Sequence, residues 1–236
     1  MKKTTLLIIL GIVTIGCIIF GSIKHLGGGM KSFMEYGLKD SDEEDSTGKY
    51  SVNEILEPFS SINVDTEITE LRIEGGKTFQ AEGSYSREWM KPEISVNNGV
   101  LEISQHGKKH QRKFGHRNCR ITVTVPEGTN LNDIEIDSNV GDIKLLDLTT
   151  GNININLNVG EVSVNNVSFE TIAVENNIGE ISICPEENAD NYDISVSTDL
   201  GEVNVAGKKY KHSYNSKGNS GKKITAISNV GEINIK

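Results

Sequence analysis

Five stretches of the chain share one spaced pattern of apolar and polar positions. They contain SNVGDIKL, LNVGEVSV, NNIGEISI, TDLGEVNV and SNVGEINI, in which a glycine precedes an acidic residue. Counted from that glycine, positions −7, −5, −1, +2 and +4 are apolar in every copy. Steps of two on either side of the glycine are the periodicity of a β-strand that keeps one face inward. The pattern therefore predicts two short strands per copy.

The glycine of each copy predicts a structural corner between those two strands. The parity of the pattern changes between −1 and +2, and a straight strand cannot keep one face inward through an odd step. Glycine supplies the positive φ or tight bend that such a corner requires. The five corner glycines are Gly141, Gly160, Gly179, Gly201 and Gly231. Two residues before each of them stands a side chain that we expect to stack in a ladder: Asn139, Asn158, Asn177, Asp199 and Asn229.

The distances between the glycines indicate a repeat architecture. Successive corner glycines are 19, 19, 22 and 30 residues apart. Short regular periods are typical of solenoid coils, each of which buries its apolar edge against the next. A sandwich or a propeller also has many short strands, but rarely places a five-point pattern at one constant offset. We predict an all-β chain that forms a parallel β-solenoid, with loop insertions at 184–193 and 207–223.

A weaker sixth copy lies upstream, with Thr69 in the glycine position and Glu70 after it. Between the copies, ISVNNGVLEIS predicts a hairpin and RITVTVPEGTNL predicts a strand that ends at a Pro-x-Gly turn. We therefore assign 51–130 to an irregular N-terminal part of the solenoid and 131–236 to its regular coils. The last coil ends at EINIK without a visible polar cap, which predicts an open edge for a partner or for self-association.

The N-terminus predicts attachment to a membrane. Thr4 to Ile23 form an uncharged run of 20 residues, which as a helix spans roughly 30 Å, the thickness of a bilayer core. A cleaved signal peptide is the alternative, although its apolar region is usually shorter and ends at small residues. Lys2 and Lys3 favour a cytoplasmic N-terminus. We predict a membrane anchor at 1–25, a single pass through the cell membrane and an extracytoplasmic C-terminal domain.

Composition and charge narrow the range of partners. The chain has 236 residues, 36% of them hydrophobic, and a net charge of −9, which disfavours nucleic acid as a partner. Residues 26–50 lack sustained periodicity and contain an acidic cluster, so we predict a flexible acidic tether there. Outside the apolar run only Cys119 and Cys184 remain, and we expect both to be free or buried rather than bonded to each other.

The residue after each glycine is acidic, and in a solenoid these side chains stack about 4.8 Å apart. They are Asp142, Glu161, Glu180, Glu202 and Glu232, called here the acidic column. Such a column could gather divalent cations, and its spacing falls near that of glycosidase acid pairs. Any stacked column has that spacing, however, and the Gly-rich repeat of calcium-binding β-rolls is missing. We interpret the column as a solvated face that discourages aggregation, with cation binding as the alternative.

Basic residues are concentrated in two segments that contain no acid. The segment 106–120 carries Lys108, Lys109, Arg112, Lys113, Arg117 and Arg120. The segment 207–223 carries Lys208, Lys209, Lys211, Lys217, Lys222 and Lys223. Outside a cell these residues could bind anionic lipid headgroups or wall polymers. The alternative is that they fold back on the acidic column or are simply solvated.

Neither a metal site nor a catalytic site is predicted. His106, His110, His116 and Cys119 offer zinc-ligand types, but their spacing matches no standard site and six nearby cations oppose a dication. No nucleophile elbow, HExxH or phosphate-binding loop occurs. We therefore expect no cofactor and no enzymatic activity.

The order of these segments resembles a known family. RITVTVPEGTNLNDIEIDSNVGDIKL, followed by further glycine–acid–aliphatic coils, is similar to the bacterial putative-adhesin family, domain of unknown function 4097. INVDTEITELRIEGG and ISVNNGVLEIS match the way those domains begin, so the resemblance spans roughly residues 55–236. It implies a β-solenoid-like body displayed on the cell envelope behind a membrane helix, in some relatives linked to envelope stress. The family provides no catalytic residues to carry over.

Together these observations predict a membrane-anchored extracytoplasmic β-solenoid that binds or senses at the cell envelope. Its expected partners are the membrane, through the N-terminal helix, and an anionic lipid, a wall polymer or an envelope protein. A structural envelope spacer is the main alternative, and a carbohydrate-active β-helix enzyme is a weaker one, because β-helices also carry such enzymes.

Overall fold

A computed structural model describes residues 50–106 and 118–236 of the chain. The chain divides into two compact units, Met1–Ser46 and Thr47–Lys236. The described residues of the second unit contain one hydrophobic core, and their strands pair within the unit, as expected of a domain that can fold alone. The predicted membrane anchor, most of the tether and residues 107–117 lie outside the described residues. Within the described ranges, no helix is long and apolar enough to cross a membrane.

In the unit Thr47–Lys236, the described residues form strands and two single-turn 3₁₀ helices, at Glu88–Met90 and Ala189–Asn191. The strands before residue 127 are β1 (Tyr50–Ile55), β2 (Ser61–Ile68), β3 (Glu70–Gly76), β4 (Gln80–Tyr85), β5 (Glu93–Asn97), β6 (Val100–Gln105) and β7 (Cys119–Pro126). Those after it are β8 (Asn130–Val140), β9 (Ile143–Val159), β10 (Val162–Ser168), β11 (Thr171–Ile178), β12 (Ile181–Pro185), β13 (Asp193–Leu200), β14 (Val203–Val205), β15 (Lys208–Tyr210), β16 (Ser213–Ser216), β17 (Lys223–Val230) and β18 (Ile233–Ile235). The prediction of an all-β fold is confirmed for the described residues.

Seven coils stack through parallel pairing, and each coil places one strand in each of two facing sheets. In chain order the coils are β2–β3, β6–β7, β8 with the first half of β9, the second half of β9 with β10, β11–β12, β13–β14 and β17–β18; we number them 1 to 7. Coils 3 to 5 repeat every 19 residues, so equivalent side chains meet directly. This arrangement confirms the solenoid-like fold and includes the weaker copy around Thr69 as coil 1.

The coils do not stack in the order of the sequence. Strand β17 pairs with β11 on one side and β13 on the other, and β18 lies in the same way between β12 and β14. Coil 7 is therefore inserted between coils 5 and 6. At the other end, β2 pairs with both β6 and β8, so coil 1 lies between coils 2 and 3. The stacking order is thus 2-1-3-4-5-7-6, and the expectation that each coil packs on the next is wrong at both ends.

Antiparallel strands cover both ends of the stack. Strands β15 and β16 pair with β14 and β13 of coil 6, and β4 and β5 pair with β7 and β6 of coil 2. The segment EINIK is β18, an interior strand that is paired on both sides. The expected open edge at EINIK is therefore wrong, because the insertion 207–223 supplies a cap at coil 6 instead.

The core lies between the two sheets and is lined by positions −7, −5, +2 and +4 of every copy. In the first copy these residues are Ile134, Ile136, Ile143 and Leu145, each at most 2% exposed. Position −1 differs: its aliphatic side chains are 42–67% exposed. Position −3 is buried instead, and its side chains are Ser138, Leu157, Asn176, Thr198 and Ser228. The chain thus begins its turn at position −2, before the glycine, and points both −2 and −1 outward.

Two further expectations about the N-terminal part are confirmed. ISVNNGVLEIS forms the antiparallel pair β5–β6, whose turn has Asn98 and Gly99 at φ of 51° and 77°. RITVTVP lies in β7, which ends at Pro126 before the turn that contains Gly128.

Cys119 and Cys184 are both free, as expected. Strands β3, β9 and β10 separate their strands in the sheet, roughly 19 Å at 4.8 Å per strand, which is beyond disulfide reach.

Candidate functional site

The repeated corner is the feature that organises the surface of this unit. Its five glycines have φ between 139° and 159°, a range that residues with a Cβ rarely adopt. A Cβ on Gly160 would lie 1.8 Å from the carbonyl oxygen of Gly141 in the next coil. Each of the other four corner glycines faces the backbone of its neighbour at a similar distance. The corners therefore stack in one column, with glycine required by both φ and space.

Beneath the corners lies a column of buried, mainly polar side chains that the sequence pattern did not reveal. Asn176 donates its Nδ2 hydrogen to the carbonyl oxygen of Gly160 at 2.9 Å, and Thr198 Oγ1 donates to that of Gly231 at 3.0 Å. Gln105 Oε1 accepts from the backbone NH of Ile68 at 3.0 Å. These bonds satisfy backbone groups that the corner turns away from solvent. A polar residue recurs at position −3 in four of the five copies, and this recurrence could have predicted the buried column.

The asparagines at position −2 form the expected ladder. Asn158 Nδ2 donates to Asn139 Oδ1, and Asn177 Nδ2 donates to Asn158 Oδ1, both at 2.6 Å. Asn229 Nδ2 continues the ladder by donating to Asn177 Oδ1 at 2.7 Å. None of these residues has a positive φ, so the ladder depends on amide hydrogen bonding rather than on left-handed geometry.

An open groove with a volume of about 310 Å³ runs along the stack beside this ladder. One wall carries carboxylates from three coils: Asp65, Asp137 and Glu175. The opposite wall is the asparagine ladder, and the floor contains Thr66, Ser138 and Leu157. The groove is shallow, polar and acidic. No sequence argument pointed to it, because the three carboxylates occupy position −4, where the residue type varies between coils.

The exposed aliphatic side chains at position −1 form a second ladder on the other side of the asparagines. In stacking order they are Val140, Val159, Ile178, Val230 and Leu200, called here the aliphatic ladder. The described chain exposes only two other large hydrophobic side chains, Ile55 and Ile227. One apolar line therefore crosses a surface that is otherwise polar.

The acidic column forms as expected. Glu70 of coil 1 extends it by one residue, and both ends of the extended column are neutralised. Arg120 of β7 pairs with Glu70 at 2.6 Å, and Lys209 of β15 pairs with Glu202 at 2.7 Å. The hydrogen bond that Lys209 donates to the Glu202 carboxylate raises the pKa of Lys209. Between these ends, the interior acids form no ion pair with any described residue: Asp142, Glu161, Glu180 and Glu232.

The predicted anion-binding residues divide into three groups. Lys108, Lys109, Arg112, Lys113 and Arg117 lie outside the described residues. Arg120, Lys209 and Lys222 are held in ion pairs, the last with Glu187 at 2.7 Å and with Glu170 at 3.7 Å. The remaining four are exposed on or beside the cap of coil 6 and form no ion pair with a described residue: Lys208, Lys211, Lys217 and Lys223.

The described residues offer no metal centre. His106 Nε2 lies 3.2 Å from Asp65 Oδ2, and His110 and His116 are outside the described ranges. Burial raises the pKa of the Cys119 thiol to about 11, so it remains protonated near neutral pH and is a poor ligand. Within residues 50–106 and 118–236, no group of three or more potential ligands is arranged to hold a metal ion.

The arrangement is suited to binding along the stack. It presents parallel rows of amides, aliphatic groups and carboxylates at the interval of the coils, on a rigid scaffold. These rows place the protein in the class of β-solenoid-like proteins that carry an extended, repetitive surface. A family model described as Toastrack DUF4097 matches residues 59–194. The chain belongs to this family, and the resemblance noted in the sequence is confirmed.

Several solved structures are similar to the chain. A putative cell adhesion protein from Clostridium sporogenes has 21% sequence identity and a TM-score of 0.57, covering 79% of this chain and 98% of that one. A putative adhesin from Bacteroides fragilis has 15% identity and a TM-score of 0.35, covering 79% and 96%. One from Parabacteroides distasonis has 14% identity and a TM-score of 0.35, covering 80% and 98%. The first supports the fold. No curated protein matches the chain.

Proposed function

We propose that this protein is a non-catalytic, adhesin-like binding domain held outside the cell membrane by its N-terminal segment. The observation that carries the proposal is that only some of the basic residues form ion pairs. Three are held in ion pairs, whereas Lys208, Lys211, Lys217 and Lys223 are exposed without such a partner. Four cations that are not needed to neutralise the acidic column remain available to an external anion.

The position of these lysines favours an extended anionic surface as the ligand. Lys208 is on β15, Lys211 follows it, and Lys217 lies after β16, so the charges are spread along the cap of coil 6. Spread charges suit anionic lipid headgroups or a wall polymer better than one small anion, and each basic residue near such a surface contributes roughly 1 kcal/mol. The basic residues of 107–117 would add to this binding. The description of the similar structure from Clostridium sporogenes as a putative cell adhesion protein agrees with a role in surface contact.

Sedimentation tests the proposal. Purified Thr47–Lys236 is mixed with insoluble wall material and with neutral or anionic vesicles across a salt series. We expect salt-sensitive binding to an anionic material that is reduced at least tenfold when Lys208, Lys211, Lys217 and Lys223 are replaced by Ser, because several kcal/mol are removed. Replacing Lys108, Lys109, Arg112, Lys113 and Arg117 by Ser measures the contribution of the other segment.

A matched control removes the same number of charges elsewhere. Lys77, Arg87, Lys91 and Lys144 are exposed and lie away from the cap insertion, so their replacement by Ser should leave binding nearly unchanged. Equal losses in the control and the cap variant would show that only net charge matters. Absent binding, or binding unchanged in both basic-segment variants, would contradict the proposal and favour a structural spacer. Turnover of a wall glycan that depends on a carboxylate would favour the enzyme alternative.

A further inference from the structure

The aliphatic ladder is an exposed apolar surface that the proposed function does not use. Its five side chains lie in register on adjacent coils, about 19 Å from end to end at 4.8 Å per coil. Contacts within the ladder shield part of each side chain, yet Ile178 in the middle is still 51% exposed. A long apolar line on an otherwise polar face is typical of an interaction surface.

Carboxylates border this ladder on both sides. Toward the second sheet, the four interior acids of the acidic column follow the corner glycines and form no ion pair with a described residue. Toward the first sheet, beyond the asparagine ladder, Asp137 and Glu175 line the groove in a column that also contains Asn156 and Ile227. A partner for this face is therefore expected to be apolar along its centre and positively charged, most strongly on the side of the acidic column.

The dimensions of the face argue against a second copy of this chain as the main partner. The ladder is one side chain wide, whereas a stable interface buries about 800 Å² on each partner. A second copy would also bring its own carboxylate rows to the contact, where like charges repel. A narrow, elongated partner avoids both difficulties.

We propose that the aliphatic ladder, with the acidic column on one side and Glu175 on the other, binds an amphipathic cationic α-helix of a partner protein, with the helix axis along the stack. One helical turn rises about 5.4 Å, close to the 4.8 Å between coils, so a helix of three to four turns presents one apolar group per coil. Over three intervals the helical repeat and the coil repeat differ by only about 2 Å in total, and flexible Lys side chains absorb this difference.

The side-chain chemistry fits the same arrangement. Helix residues at i, i+3, i+4 and i+7 form an apolar stripe that would cover Val159, Ile178 and Val230. Lys or Arg residues at the edges of that stripe would extend their aliphatic stems over the ladder and place their charges at Glu161 and Glu180 on one side. On the other side they would reach Glu175. This surface is distinct from the cap lysines and has the opposite charge.

Fluorescence anisotropy with designed peptides tests the inference. The probe is a labelled Leu-Lys amphipathic helix of about four turns, added to Thr47–Lys236. Two comparison peptides carry Glu in place of Lys, or the same residues in an order without helical periodicity. We expect salt-sensitive binding of the first peptide and at least tenfold weaker binding of both others.

Variants locate the binding. Val159→Thr with Ile178→Thr keeps the β-branched shape and removes apolar surface, and Glu161→Gln with Glu180→Gln removes charge. Each pair should weaken the peptide about tenfold, as expected for the loss of two surface contacts. Ile55→Thr with Glu127→Gln is the control, because both residues are exposed outside the ladder and the acidic column. Circular dichroism should show the same unfolding temperature for all of them.

Specific results would overturn the inference. Equal affinity of the ladder variants and the control, or equal binding of the peptide without helical periodicity, would reduce the binding to general charge attraction. Self-association that disappears in the Ile178→Thr variant, without peptide binding, would assign the ladder to a second copy. Binding of an uncharged hexosamine oligomer in place of the peptide would assign it to a glycan. Serine substitutions in the cap should leave peptide binding intact, so this test is separable from that of the anionic ligand.

Discussion

Gly231 stacks on the carbonyl oxygen of Gly179, although Gly201 is the corner glycine that precedes it in the sequence. A Cβ on Gly231 would lie 1.8 Å from that oxygen, and the backbone NH of Gly231 donates to Leu200 at 2.9 Å on the other side. The last coil of the chain is therefore an interior layer. The C-terminus completes the stack from within, and the preceding insertion covers its end.

Deletion of 223–236 tests this topology. The deletion removes β17 and β18, the coil through which coil 6 is attached to coil 5. We therefore expect hydrogen exchange to show loss of amide protection throughout β13 and β14, and the unfolding transition to weaken strongly. A stack in sequence order would lose only a terminal layer, so persistent protection of β13 would contradict the topology.

The corner glycines should be intolerant of any side chain. Gly160→Ala places a methyl group 1.8 Å from a carbonyl oxygen and requires a Cβ at φ of 143°. We expect a loss of at least about 4 kcal/mol in unfolding free energy, measured in urea. Gly128→Ala is the matched control, because Gly128 also has a positive φ but no atom within 4 Å of the added carbon. Its cost should be about 1 kcal/mol, and equal costs would show that φ alone matters.

The ion pair between Lys222 and Glu187 should produce a stability difference that depends on pH. Hydrogen bonding to Lys222 lowers the pKa of Glu187, and that same bond raises the pKa of Lys222. The carboxylate's contribution is present above its ordinary pKa near 4.5 and is lost as the pH falls through its lowered value. The lysine's contribution is present below its ordinary pKa near 10.5 and is lost as the pH rises through its raised value.

Thermal unfolding of Lys222→Met across pH measures this effect. The variant should unfold at a lower temperature than the parent near pH 7, and the difference should disappear at pH 2. Lys217→Met serves as the control, since Lys217 forms no ion pair with a described residue. A constant difference at all pH values would mean that Lys222 acts by packing of its aliphatic stem.

Cys119 should be unreactive in the folded unit. With burial raising the pKa of its thiol to about 11, about one molecule in a thousand carries the thiolate at pH 8. In a Cys184→Ser variant of Thr47–Lys236, a thiol reagent should react at least a hundredfold faster in denaturant than in buffer. Rapid reaction of the folded variant would show that β7, at the end of the stack, opens readily.

The repeat could be predicted from the sequence because it depends on interactions between residues close together in the chain. Alternating aliphatics such as Ile153 and Ile155 fix a strand with one inward face, and Gly160 fixes a corner wherever the parity breaks. The expectation that position −1 faces inward was wrong, and the reason is also local. Val159 is apolar, yet it lies on the outer ladder, while Asn176 and Thr198 at position −3 are buried, because corner backbone groups need hydrogen-bond partners inside.

The sequence by itself determined the strand pairs, the corners, the asparagine ladder and the acidic column, since each follows from the period of one coil. Only the tertiary structure decided the order of the coils, because copies with the same inward and outward pattern can stack in more than one order. It also decided which lysines remain exposed. Arg120 and Lys209 look identical to their neighbours in the sequence, and only the ends of the stack bring them to Glu70 and Glu202. Contacts between residues distant in the chain, not local pattern, set the surface available for binding.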